Sequence, residues 1–210
     1  MSPIFEYFFG QYAEYETYQI VLEIVAVLFG IISAWCSKRN SIWVYPTGIV
    51  STSIFVYLLW QWELLGDMLI NVYYFTMSVY GWYVWTRKVS PNSYTPITWA
   101  TKREHAISLG IFFGAIVFVY VVYELFEKWT SWTAYVDTLT TGLFFVGMWL
   151  LARRKVENWL YLLAGNIISV PLYFYKGYTI SSMLYVIFVI ISVLGYFAWK
   201  KNLHKDTVIA

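Results

Sequence analysis

Residues 180–199 read ISSMLYVIFVIISVLGYFAW, a run without charged side chains that ends at Lys200 and Lys201. A helix of about 20 apolar residues has the length that crosses the roughly 30 Å hydrocarbon core of a bilayer. The rest of the chain contains six further apolar blocks of similar length, near residues 19–36, 42–60, 67–85, 104–124, 135–152 and 157–175. The sequence therefore predicts an all-α integral membrane protein with seven transmembrane helices.

Composition supports a bilayer environment and argues against several classes of protein. The chain has 210 residues, of which 60% are hydrophobic and 12% charged, whereas about a quarter of the residues in an ordinary soluble domain are charged. Cys36 is the only cysteine, and His105 and His204 are far apart along the chain. These residues provide neither a disulfide framework nor a zinc or haem site. We predict no enzyme activity, no cofactor, no metal and no nucleic-acid partner.

Cationic side chains are distributed unequally between the two sides of the predicted bundle. Lys128 and Lys176 fall on one side. Twelve cations fall on the other: Lys38, Arg39, Arg87, Lys88, Lys102, Arg103, Arg153, Arg154, Lys155, Lys200, Lys201 and Lys205. By the positive-inside rule, the N-terminus is predicted outside and the C-terminus in the cytoplasm.

The first and last three spans resemble each other in sequence. Three pairs of segments match: Trp35 and Trp149, residues 81–85 and 195–199, and residues 48–51 and 166–169. The first two pairs are 114 residues apart and the third is 118 apart, which implies compensating changes in loop length. An odd linking helix between the units makes them parallel, so a solute site is expected between them near the membrane midplane.

This reading divides the chain into five parts. They are an interfacial segment at 1–18, a first three-helix repeat at 19–88, a cytoplasmic loop and linking helix at 89–130, a second repeat at 131–201, and a cytoplasmic tail at 202–210.

Polar residues at membrane depth are costly and usually face a cavity or a partner helix. Glu23, Asn71 and Asn166 are such residues, and Asn166 follows Trp159 by seven residues, or two helical turns. An amide and an indole on one face suit a flat polar solute. Ser51 joins this set through the repeat alignment. In the alternative interpretation, the two asparagines tie neighbouring helices together, while Glu23 either balances a cationic solute or faces an outer vestibule.

Transport is the function that an internal duplication of three spans favours. The sequence has no nucleotide-binding P-loop, so facilitated diffusion by alternating access is the predicted mechanism. The aromatic-rich faces allow a homo-oligomer, for example a trimer.

Four motifs resemble the PnuC family of bacterial vitamin transporters: Val156–Trp159, Asn166–Ser169, Asn71–Phe75 and Tyr80–Tyr83. The resemblance covers essentially the whole chain and implies the three-one-three helix layout related to the SWEET sugar transporters. It also implies location in the bacterial inner membrane and uptake of nicotinamide riboside, followed by trapping through a cytoplasmic kinase.

The family's sixth span has a Trp-x-x-Trp-x-x-x-Asn signature that contributes to its solute site. Trp159 and Asn166 match the first and last positions, and Leu162 replaces the second tryptophan. Three tyrosines are available to supply the missing ring: Tyr161, Tyr173 and Tyr74. The resemblance thus favours nicotinamide riboside, with thiamine or riboflavin as alternatives and a sugar as a further one.

Overall fold

The structure is a computed structural model that describes residues 15–90, 93–127, 129 and 131–203. The described residues form seven helices: α1 Thr17–Lys38, α2 Val44–Gln61, α3 Leu65–Thr86, α4 Lys102–Leu125, α5 Thr133–Ala152, α6 Asn158–Tyr175 and α7 Thr179–Lys201. Every end lies within two residues of the predicted span, which confirms the seven-helix prediction. Most of the predicted interfacial segment and of the cytoplasmic tail lies outside the described residues.

Two short strands, β1 Lys88–Ser90 and β2 Ser93–Tyr94, pair between α3 and α4 and are the exception to an all-helical chain. By length and composition, α1, α4, α5 and α7 are apolar enough to cross a membrane. The other three helices also carry polar residues, among them Asn71 on α3 and Asn166 on α6. These helices make up the bundle together with the four apolar ones.

The two three-helix units are equivalent at a constant offset of 114 residues. Helices α2 and α6 begin at residues 44 and 158 and end at 61 and 175. The loops agree as well, because Asn40 and Arg154 have left-handed φ angles of 57° and 56°. The predicted offset of 118 in the middle of the repeat is therefore wrong by one helical turn. Thr52, and not Gly48, is the counterpart of Asn166.

Packing follows the repeat. Within each unit the middle helix packs against both neighbours, and between units α3 packs against α5 while α1 packs against α7. The linking helix α4 packs mainly against α5. The two units thus meet across a pseudo-two-fold axis that runs along the bundle.

Residues 94–101, which we call the strap, lead from β2 into α4 and are joined to the α5–α6 loop. Several hydrogen bonds make this connection, among them Thr98 N to Arg154 O at 3.1 Å, Val156 N to Thr98 O at 3.1 Å, Ala100 N to Glu157 Oε1 at 2.9 Å, and Lys155 Nζ to Thr98 Oγ1 at 2.9 Å. The strap, the α1–α2 loop, the α5–α6 loop and the last turn of α7 form one end of the bundle, which we call the basic end.

Candidate functional site

A cavity of about 290 Å³ lies between the two units. Eight pairs of equivalent residues contribute most of its lining: Gly30 and Phe144, Ala34 and Met148, Ser37 and Leu151, Tyr45 and Trp159, Gly48 and Leu162, Thr52 and Asn166, Tyr74 and Phe188, and Ser78 and Ser192. Because both members of each pair reach the same space, the cavity lies on the pseudo-two-fold axis. Ser33, Val44, Ser51, Tyr185 and Ile191 complete the lining.

Two aromatic rings at equivalent positions form the base of the cavity. Trp159 stands edge-on to Trp199 with centroids 5.6 Å apart, and Tyr45 stands edge-on to Trp85 at 5.0 Å. Trp159 and Tyr45 are each only 2% exposed.

Each of these rings rests on a glycine of the last helix in its unit. A Cβ atom added at Gly195 would lie 2.6 Å from the Trp159 ring, and one added at Gly81 would lie 2.3 Å from the Tyr45 ring. Both separations are far below van der Waals contact. The close approach of ring to backbone therefore requires glycine at both positions.

Asn166 and Leu162 lie above Trp159 on the same helix. Asn166 is 5% exposed, and its Nδ2 atom donates a hydrogen bond to Ser192 Oγ on α7 at 3.2 Å. The Leu162 side chain packs against Gly147, where a Cβ would lie 2.6 Å from Cδ2. Trp159, Leu162 and Asn166 thus present a ring, an aliphatic group and an amide to the cavity.

The remaining predicted site residues divide into two groups. Ser51 and Tyr74 line the cavity. Asn71, Tyr173 and Glu23 lie outside its lining. The Asn71 Nδ2 atom donates to the Asp67 carbonyl at 3.0 Å, and the Tyr173 ring lies 4.8 Å from Tyr185, one layer behind the lining.

Several lining residues were not predicted from the sequence. They are mostly small or hydroxyl-bearing residues of the first unit, such as Ser33, Ser37, Thr52 and Ser78. Single serines and threonines in apolar helices commonly bond to a carbonyl of their own helix, so no sequence pattern distinguishes these four. A correct repeat register would have identified Thr52 as the counterpart of Asn166.

Two tryptophans close the cavity at the basic end and join the units. The Trp85 Nε1 atom donates to the Leu151 carbonyl at 3.3 Å, and its equivalent, Trp199 Nε1, donates to the Ser37 carbonyl at 2.9 Å. Leu151 and Ser37 are also equivalent positions, so this pair of bonds obeys the pseudo-symmetry. The two indole rings lie 5.8 Å apart.

Arg154 breaks that symmetry at the same end. Its side chain is fully buried, and its guanidinium carbon lies 4.1 Å from the centre of the Trp85 ring. One nitrogen donates to Asn40 Oδ1 at 3.0 Å and the other donates to the Thr95 carbonyl of the strap. Burial lowers the pKa of the Arg154 guanidinium to about 10, so it stays protonated at neutral pH. Arg154 therefore connects the first unit, the second unit and the strap through one cation.

A second cavity, of about 410 Å³, lies at the opposite end of the bundle. It is bordered by Asp67, Tyr123 and an ion pair between Asp137 and Lys176. Among the described residues, no group of three or more histidine, cysteine, aspartate or glutamate side chains is placed to hold a metal ion.

Comparison with known proteins places this arrangement among transporters. Residues 20–201 match the model of a family described as nicotinamide mononucleotide transporter. The nicotinamide riboside transporter PnuC of Escherichia coli is 25% identical over 201 residues, covering 85% of this chain and 84% of that protein. The riboflavin/roseoflavin transporter RibM of Streptomyces davaonensis is 24% identical over 190 residues, covering 88% and 87%.

One solved structure has the same fold. The crystal structure of a vitamin B3 transporter PnuC matches with a TM-score of 0.66 at 22% identity, covering 89% of this chain and 83% of that one.

Proposed function

The chain belongs to the nicotinamide mononucleotide transporter family, and on that premise we propose that it imports nicotinamide riboside through the cavity between its two units. The observation that carries this proposal is the lining itself, in which the Trp159 ring and the Asn166 amide border the same cavity. An aromatic face attracts a cationic ring, and an amide both donates and accepts hydrogen bonds. Both groups match a pyridinium that bears a carboxamide.

The size of the cavity favours a solute no larger than a nucleoside. Its 290 Å³ lies near the lower limit of about 300 Å³ for small-molecule pockets. Thiamine is of similar size and also carries a cationic ring, so it is the main alternative. Riboflavin has three fused rings and a ribityl chain and is therefore larger. It stays an alternative because the relative RibM is described as a riboflavin/roseoflavin transporter. A sugar, the further alternative, carries no positive charge for the aromatic base to attract.

We propose that the basic end faces the cytoplasm and that transport is facilitated diffusion by alternating access. Opening toward the cytoplasm then requires two hydrogen bonds between the units to break, from Trp85 to the Leu151 carbonyl and from Trp199 to the Ser37 carbonyl. A cytoplasmic kinase would trap the imported riboside as its phosphate and maintain the gradient.

The first prediction concerns ligand identity and the site. Purified protein is expected to bind nicotinamide riboside, measured by calorimetry against thiamine, riboflavin and glucose. Trp159→Ala and Asn166→Ala should each weaken binding about tenfold, because each removes a contact worth roughly 1 to 2 kcal/mol.

Matched controls lie one residue further along the same helix. Leu160 and Ile167 are exposed and lie outside the cavity lining, so Leu160→Ala and Ile167→Ala should bind like the wild type. Binding of glucose alone would contradict the proposed function. Unchanged affinity in both Trp159→Ala and Asn166→Ala would show that the solute binds elsewhere in the protein.

The second prediction concerns the mechanism. In proteoliposomes, radiolabelled riboside should enter until the internal and external concentrations are equal, and an imposed proton gradient should not change that level. This follows from a lining without an acidic residue among the described side chains. Accumulation above the external concentration that an uncoupler abolishes would show proton coupling.

A further inference from the structure

We propose that the first unit's side of the cavity binds the part of the solute that carries hydroxyl or amino protons, with Ser33, Ser51 and Ser78 selecting for it. We call the five hydroxyl-bearing residues Ser33, Ser37, Ser51, Thr52 and Ser78 the hydroxyl wall. This inference rests on the proposed function and adds the orientation of the solute.

The first observation is that equivalent positions in the two units differ in size and polarity. Where the second unit has large apolar residues, the first has small ones at the equivalent positions. The pairs are Gly30 and Phe144, Ala34 and Met148, Ser37 and Leu151, and Gly48 and Leu162. The open space is therefore displaced from the axis toward the first unit. A bound solute has an apolar surface on one side and hydroxyls with bare backbone on the other.

The second observation is that the hydroxyl protons of four of the five wall residues already donate to backbone carbonyls. Ser33 Oγ donates to the Val44 carbonyl at 2.7 Å, Ser51 Oγ to the Ala26 carbonyl at 2.8 Å, and Ser78 Oγ to the Tyr74 carbonyl at 2.9 Å. Thr52 Oγ1 donates likewise to the Gly48 carbonyl at 2.8 Å. A hydroxyl has one proton and two lone pairs, so these oxygens retain only the capacity to accept. The solute group that faces them must donate.

The third observation is that these oxygens lie beside glycines of the cavity lining. A Cβ at Gly48 would lie 3.1 Å from Ser33 Oγ and 3.2 Å from Ser78 Oγ, and one at Gly30 would lie 3.2 Å from Ser51 Oγ. The three oxygens therefore border helix backbone that no side chain covers, at Gly30 and at Gly48.

Ser37, at the base of the same wall, supplies an independent indication of a ligand. It is 2% exposed, and its Oγ atom has no hydrogen-bond partner among the described residues. Leaving a buried hydroxyl unsatisfied is unfavourable. The wall thus has hydrogen-bonding capacity that the protein does not use itself.

These features orient the solute. The planar ring lies against Phe144, Leu162 and Phe188 with Trp159 below it. The sugar hydroxyls of a riboside, or the amino group of a thiamine, then point toward Ser33, Ser51 and Ser78. None of the described lining residues carries a charge, so specificity in this half of the cavity depends on hydrogen bonds.

The test pairs protein variants with ligands that lack the donor. Ser33→Ala and Ser78→Ala are measured with nicotinamide riboside and with its 2′- and 3′-deoxy analogues. If the wild type binds thiamine or riboflavin instead, the matched ligand is a thiamine analogue with hydrogen in place of the pyrimidine amino group, or lumiflavin, which lacks the ribityl chain. Each variant should lose roughly three- to tenfold in affinity for the complete vitamin, as expected for one hydrogen bond, and little for the analogue.

Ser53→Ala is the matched control, because Ser53 is exposed on α2 and lies outside the lining. A uniform loss for vitamin and analogue alike would overturn the proposed orientation while leaving the proposed function intact. Unchanged affinity in both wall variants would overturn it as well. A wild-type protein that binds none of the three vitamins would overturn both proposals.

Discussion

Replacing Gly195 or Gly81 by alanine is expected to destabilise the protein by about 3 kcal/mol and to abolish solute binding. The added methyl group would lie 2.6 Å from the Trp159 ring or 2.3 Å from the Tyr45 ring. Neither ring can yield easily, because each is buried and packed edge-on against a second tryptophan, Trp199 or Trp85. Overpacking of a rigid core costs roughly 1 to 3 kcal/mol, and the short separations place these sites at the upper end.

Thermal unfolding in detergent, followed by tryptophan fluorescence, measures the effect. Gly110→Ala and Gly114→Ala are the matched controls, because a Cβ on either meets nothing within 4 Å on helix α4. Those variants should be neutral or slightly stabilising, since alanine is favoured over glycine in a helix by about 1 kcal/mol. If Gly81→Ala and Gly195→Ala unfolded at the wild-type temperature, the described ring positions would be wrong.

Arg154→Ala should open the basic end of the bundle. It removes the hydrogen bonds to Asn40 and Thr95 and the contact with the Trp85 ring. Hydrogen bonds to a charged group contribute roughly 1.5 to 3 kcal/mol each, and a desolvated cation–π contact about 2 kcal/mol. Alanine and arginine are strained alike at the left-handed φ of this position. The variant therefore tests the side chain and not the backbone.

Cys36, the only cysteine in the chain, reports this opening. It is partly buried against the cluster of Tyr45, Trp85 and Trp199 at the closed end. We expect maleimide to label Cys36 at least about tenfold faster in Arg154→Ala, because the population of the open state rises about tenfold for every 1.4 kcal/mol by which the closed state is destabilised. Asn40→Gly, which keeps the left-handed backbone and removes one bond, should give a smaller increase.

Arg153→Ala is the control for charge. Arg153 is adjacent in sequence, but its side chain is 41% exposed and pairs with Glu104 at 3.1 Å. The Arg153 end of this pair is screened by solvent, and the buried Glu104 keeps Lys155 Nζ as a second partner at 3.1 Å. Labelling should therefore match the wild type. Equal rates in all four proteins would show that Arg154 does not hold the end closed. A size-exclusion profile like that of the wild type separates opening from unfolding.

The fold could be predicted closely because the bilayer imposes length and composition on each span. The seven blocks, the parallel repeat and the linking helix were all evident in the residues. The register in the middle of the repeat was not, since residues 49–51 (Ile-Val-Ser) resemble residues 167–169 (Ile-Ile-Ser) in type. The true register depends on close contacts, with Tyr45 on Gly81 and Trp159 on Gly195. An alignment of the two repeats by residue type does not detect such contacts between helices.

The site was predicted less completely, for a related reason. Trp159, Leu162, Asn166, Tyr74 and Ser51 line the cavity. Asn71, by contrast, donates a hydrogen bond to its own helix. Its difference from Asn166, which lines the cavity, is visible in the structure and not in the sequence. Arg154 is a further example, since its sequence position in a basic loop suggests a solvated cation. Its burial results from the strap, whose course no local pattern predicts.

The difference between Asn40 and Arg154, at the boundary between the two units, bears on how such a protein arises. Asn40 and Arg154 are equivalent residues that bond to each other across the axis. In a homodimer of one three-helix unit, both positions would carry the same residue. Two buried guanidiniums would repel each other, and two amides would provide no cation for the indole or the strap. This closure therefore requires two halves that have diverged from each other, and here both halves lie in one chain.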